Sequence, residues 1–210
     1  MTNKEIIEKA WRNVFSDTDY PSVGSGELAK CVDFFNDAVG EWESLAKKGA
    51  IPTELISRDD IVFGGTGEDD LPSDFFALIP SVTDKGYQPF YFSDSLGNTY
   101  KQISAREGIH AQTDYVFWVE GNHIRTFPAL SDTINIPYIR KATRSVTGDE
   151  ITESECPDHD FLVAYVSSYL ANDDENETKY ELFGVKSVER LDQMEYSYYA
   201  RLTDDPTNIF

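Results

Sequence analysis

The chain has 210 residues, 40% of them hydrophobic and 13% aromatic, enough for a real core and too apolar for a disordered chain. It carries 38 acidic against 18 basic residues, a net charge of −20, and such a surface repels phosphate rather than gripping a nucleic-acid backbone. There is no run of about 18 apolar residues, and the opening Met1-Thr2-Asn3-Lys4-Glu5 lacks the basic patch and apolar stretch of a secretory signal, so neither a membrane span nor export is expected.

In chain order, Ile6, Ile7, Ala10, Trp11 and Val14 form one stripe at helical spacing, and Asn3 is the expected cap of a helix reaching about Phe15. Asp17, Asp19, Pro21, Gly24 and Gly26 then mark a loop. Leu28, Val32, Phe35, Val39, Trp42 and Leu45 recur at alternating steps of four and three, which predicts a helix of about six turns over residues 25–48. Lys47-Lys48-Gly49 followed by Pro52 is its stop signal.

From residue 51 to about 155 the texture changes to short Val, Ile, Tyr and Phe runs between turn residues. Strands are predicted over 60–63, 75–82, 88–93, 99–103, 115–120, 123–127 and 133–142. Gly121-Asn122 and Leu96-Gly97-Asn98 are expected to turn two hairpins. This region reads as a small barrel or sandwich. Helix returns after Pro157, with Phe161, Leu162, Ala164, Tyr165, Ser168 and Tyr169 on one face. A last helix, 180–199, places Phe183, Val188, Leu191, Met194 and Tyr198 on one side. Residues 201–210, with Asp204, Asp205 and Pro206, are expected to be extended.

The fold expected is therefore α+β. Residues 1–50 and 156–200 form a helical bundle, 51–155 an inserted β-rich domain, and 201–210 a C-terminal tail. Trp11, Phe35, Val39, Trp42, Phe161, Tyr165 and Leu191 are the expected bundle core.

Chemistry-bearing patterns are few. Cys31 and Cys156 form no C-x-x-C pair; free thiols in a reducing cytosol are the simpler reading, one long-range disulfide the other. His110, His123 and His159 have no ligand partner at zinc spacing. Asp158-His159-Asp160 reads as a solvated helix N-terminus, and the acidic run 172–177 lacks the glycine and spacing of a calcium loop. Gly64-Gly65-Thr66-Gly67 is followed by Glu68, Asp69 and Asp70 rather than by Lys-Ser/Thr, and Val23-Gly24-Ser25-Gly26 reads as a helix-start loop. No nucleophile motif occurs, so no catalytic residue, cofactor or metal is expected. Arg140, Lys141 and Arg144 make the single basic cluster, either a solvated loop or a contact with an acidic neighbour in an assembly.

Several segments carry a resemblance. Leu71-Pro72-Ser73-Asp74-Phe75-Phe76-Ala77-Leu78 resembles the "LP-x-D-F" segment that opens the β part of the head–tail connector (adaptor, or head-completion) proteins of tailed bacteriophages. Residues 115–128 resemble that family's hairpin with its trailing proline. The strand 134–141, ending Pro-Tyr-Ile-Arg-Lys, resembles the one that follows. Pro157-Asp158-His159-Asp160-Phe161-Leu162-Val163-Ala164-Tyr165 is similar to its "P-D-x-L-x-x-A" helix start, and the Trp11 and Trp42 helices match the two that precede the β part.

The resemblance implies a structural virion protein, assembled in the host cytoplasm. Its copies form a homo-oligomeric ring, a dodecamer, below the portal protein and above tail or nozzle proteins. DNA passes through the ring without being bound specifically. The tail, with Pro206 and the terminal Ile209-Phe210, is either a frayed end or, as the resemblance implies, a peptide that docks into the portal. The competing readings are an acidic DNA mimic, a carboxylate-based hydrolase, and another connector ring component such as a stopper or tail terminator.

Overall fold

A computed structural model of the chain describes residues 1–16, 19–79, 81–83, 86–88, 90–103 and 115–204, and side chains within these except at 81–83, 86–88 and 201–204. The described residues bear out the α+β class, with N- and C-terminal helices around a β-rich centre. The chain divides into two units, Met1–Glu54 with Ala142–Ala200, and Leu55–Lys141 with Arg201–Phe210.

In the helical unit, α1 (Asn3–Val14) is started by Thr2 rather than by the expected Asn3. The Thr2 hydroxyl accepts from the Glu5 N–H at 3.2 Å, and the Glu5 carboxylate accepts from the Thr2 N–H at 2.9 Å. This is a capping box, which satisfies two donors reciprocally and leaves Asn3 as the first helical residue. α2 (Gly26–Ser44) is capped by the Ser25 side chain and continues as a 3-10 turn over Leu45–Lys48. Gly49 stops it at φ 90°, as the Lys-Lys-Gly signal predicts.

α3 (His159–Asp173) is the central helix, packing against both α1 and α2. It buries Phe161, Leu162, Val163, Ala164, Val166, Ser167, Ser168, Leu170 and Ala171, so it is covered nearly all round. Its Ser167 hydroxyl accepts from Asn13 Nδ2 at 3.1 Å and donates to the Val163 carbonyl at 2.7 Å. Tyr165, expected in the core, is only half-buried, and Tyr169 is exposed. α4 (Glu177–Asp204) runs further than the expected 180–199. Helix thus replaces the extended chain expected at 201–204, while 205–210 lie outside the described residues.

Residues 142–155 group with the helices. Asn36 holds Ser145 through two bonds of 2.9 Å, Tyr20 reaches the Gly148 carbonyl at 3.2 Å, and the Asn3 N–H donates to Thr152 O at 3.0 Å.

The β unit holds β1 (Ile56–Val62), β2 (Glu68–Asp70), β3 (Phe75–Leu78), β4 (Ser81–Thr83), β5 (Gly86–Gln88), β6 (Tyr91–Ser93), β7 (Thr99–Gln102), β8 (Val116–Glu120), β9 (His123–Phe127) and β10 (Thr133–Arg140). They make one sheet of order β1-β10-β3, another of order β2-β9-β8-β7-β6, and the ribbon β4-β5. Both predicted hairpins are present, β6–β7 and β8–β9.

β10 alternates as a half-buried strand should, with Ile134, Ile136 and Tyr138 inward, until a register shift between Ile139 and Arg140. One core gathers side chains from both larger sheets, among them Ile61, Ile134 and Ile136 from the first and Phe92, Tyr100, Phe117 and Ile124 from the second. Two sheets over a shared core correspond to a sandwich. Phe92 and Tyr100 stack across β6–β7 with centroids 5.2 Å apart.

β2 went unpredicted because Glu68-Asp69-Asp70 has no strand composition. Pairing with β9 makes it a strand, supported by cross-strand contacts of His123 with Asp70 (2.8 Å) and Arg125 with Glu68 (3.1 Å).

Candidate assembly surfaces

The side chains with chemical potential are mostly occupied in holding the fold. Cys31 and Cys156 are free and buried; burial raises the Cys31 thiol to about 11 and pushes Cys156 up as well, so both stay protonated and inert. Asp158 caps α3 by accepting from the Phe161 N–H at 2.9 Å and also meets Arg190 of α4 at 3.4 Å. Asp160 accepts from Lys9 at 3.2 Å. The Asp158-His159-Asp160 segment is thus the helix start expected, and burial lowers the His159 pKa, favouring the neutral ring. Gly24 and Ser25 form the turn and cap of α2. Gly67, at φ 81°, lies where a Cβ would sit 3.3 Å from the Thr126 carbonyl, so the glycine-rich loop serves close β packing. Among the described residues no group of three His, Cys, Asp or Glu could hold a metal ion; His110 lies outside them.

The basic cluster is divided between the two units. Arg140 ends β10 and Lys141 follows it; the Lys141 N–H donates to Asp74 O at 2.6 Å and Arg140 Nη1 to the Lys141 carbonyl at 3.3 Å, and the Lys141 side chain is exposed. Arg144 belongs to the helical unit and pairs with the buried carboxylate of Glu43. Pro206, Ile209 and Phe210 lie outside the described residues.

A surface that the sequence pattern missed lies on α4. Among its described side chains, Ser187, Met194 and Tyr198 are buried. Leu182, Val185, Val188 and Tyr196 are 63, 59, 59 and 76% exposed. At about 100° per residue the two sets fall on roughly opposite faces. Val188, expected on the inward side with Phe183 and Leu191, is on the outward one, and Leu191 is half-buried. The inward face is fastened by polar contacts: Lys179 Nζ to the Val14 carbonyl (2.6 Å), Arg190 to Asp158, and Lys48 to Glu195 (3.5 Å). A helix fixed on one face that exposes four large apolar side chains on the other, among the exposed Glu181, Glu189 and Asp192, offers a surface to a partner.

Among the described residues no helix is long and apolar enough to cross a membrane. A family model described as SU10 adaptor protein matches residues 1–206, nearly the whole chain. No curated protein matches the sequence. The chain belongs to the SU10 adaptor protein family, a family of phage head–tail adaptors, which makes it a phage structural protein that interacts with portal and tail components.

Proposed function

We propose that this adaptor is a non-catalytic ring subunit seated below the portal and above the tail, with DNA passing through the lumen. The observation that carries this reading is the outward face of α4. Four large apolar side chains, each more than half exposed on one helix face, form the kind of patch that a neighbouring subunit covers. Family membership supplies the setting. The acidic charge fits a conduit: carboxylates facing a DNA lumen repel phosphate and keep the duplex from adhering.

Within this reading the helical bundle is the ring-forming body and the β domain is an insertion into it. Arg140 and Lys141, with Arg144 behind its pair with Glu43, contact an acidic neighbour. The tail with Pro206, Ile209 and Phe210 docks into the portal. The variant Val185→Asp/Val188→Asp tests the α4 contact. Both positions are exposed, so the monomer keeps its melting temperature, while ring formation on the portal is lost. Undiminished assembly of the folded variant contradicts the reading.

A further inference from the structure

The helical unit holds a half-open pocket of about 340 Å³ that no described side chain of α4 lines. Its apolar part is Trp11, Phe15 and Leu170, the two rings lying with centroids 4.3 Å apart at the C-terminal end of α1. Its rim carries four carboxylates, Asp19, Glu27, Asp173 and Asp174, all on exposed residues. Lys30 is the one cation among the lining residues, and Asp173 already holds its ammonium at 2.8 Å. Among the described lining residues, four negative charges against one positive leave a net of −3.

Each class of occupant can be judged on this chemistry. A phosphate or nucleic acid is repelled by the rim. A metal ion has no donor set, because no group of three candidate ligands exists among the described residues. A purely apolar group would cover the rim carboxylates without pairing them, at a desolvation cost. A cation with a flat apolar face satisfies both parts. Guanidinium meets this description better than ammonium, since it stacks on aromatic rings and offers N–H groups in a planar fork to carboxylates.

We propose that this pocket receives an arginine side chain of a partner protein, its guanidinium against the partly exposed Phe15 ring at the edge of the buried Trp11 and its N–H groups bonded by Glu27 and Asp174. The site is separate from the outward face of α4, so it stands or falls independently of ring formation.

The test uses the full chain, labelled with ¹⁵N, and Nα-acetyl-arginine amide as the probe. The indole N–H resonances of Trp11, Trp42 and Trp118 report on three separate places. The expected result is a saturable shift of the Trp11 resonance with Trp42 and Trp118 unmoved. The uncharged analogue Nα-acetyl-citrulline amide should bind about tenfold more weakly. The variant Glu27→Gln/Asp174→Asn should raise the dissociation constant by about fivefold, with folding checked by its circular dichroism melt. Asparagine remains acceptable at the helix end that Asp174 occupies, which keeps the variant foldable. Equal binding of the citrulline analogue overturns the proposal. So does a response in which all three indoles move together, the mark of diffuse attraction to an acidic surface. Unchanged affinity in the folded variant also overturns it.

Discussion

The indole Nε1 of Trp42 donates to the phenol oxygen of Tyr198 at 3.0 Å, a buried bond between residues 156 apart in sequence. The phenol donates onward to the Glu54 carboxylate at 3.3 Å, so the chain Trp42, Tyr198, Glu54 ties α4 to the C-terminal part of α2 and the segment beyond it. Burial, opposed by the Trp42 bond, pushes the Tyr198 pKa well above its ordinary value, so the hydroxyl keeps its proton to give.

Tyr198→Phe should therefore destabilise the protein by about 1–3 kcal/mol, because Trp42, fully buried, is left with an unsatisfied N–H. Denaturant unfolding of the helical unit measures this. A change under about 0.5 kcal/mol would mean that the indole finds another acceptor.

Gly148 sits at φ 73° on the loop over α2, and a Cβ there would lie 2.8 Å from Val32 Cγ2 and 2.9 Å from Leu28 Cδ1. Gly148→Ala adds backbone strain to overpacking, for a loss of about 2–4 kcal/mol in chemical denaturation. A loss under about 1 kcal/mol would show that the loop moves away instead.

The same loop is wound around one carboxylate. Glu150 accepts from the Ser145 hydroxyl at 2.5 Å, from the Val146 N–H at 2.7 Å and from the Thr147 N–H at 2.6 Å. Burial raises its pKa, but these bonds outweigh burial and bring it from 4.5 down to about 2. A depressed folded-state pKa stabilises the fold above the unfolded value, and that contribution is lost as the pH falls from about 4.5 to about 2. Glu150→Gln should remove this share of the acid sensitivity. Identical melting temperatures against pH, relative to each protein's own neutral value, would contradict the assignment.

The sequence was legible where local chemistry decides the structure. The Lys-Lys-Gly stop of α2, the Gly121-Asn122 turn and the alternation in β10 all depend on neighbours along the chain. The capping box is equally local, written in Thr2-Asn3-Lys4-Glu5, where the Thr2–Glu5 spacing rather than the Asn3 side chain sets the start of α1. α4 could not be read in the same way. Phe183, Leu191, Met194 and Tyr198 lie on one side and Leu182, Val185, Val188 and Tyr196 lie on another, and periodicity cannot say which of two apolar stripes α2 will cover. β2 is a strand only because β9 lies beside it. The pocket at Trp11 joins residues from the ends of α1 and α3 and the start of α2, a convergence no linear spacing records. Arg144 looked like part of one basic cluster, yet Glu43, 101 residues away, claims it.

The central claim is that this adaptor becomes a ring on a portal. The like charges of a −20 chain oppose a free ring at low salt, whereas complementary contacts on the portal offset that repulsion. Electron microscopy of the purified chain at low salt, alone and mixed with its portal protein, measures this most directly. The account predicts small particles alone and a closed ring of this chain stacked coaxially on the portal in the mixture. Portal particles that carry no added ring at saturating adaptor would contradict it.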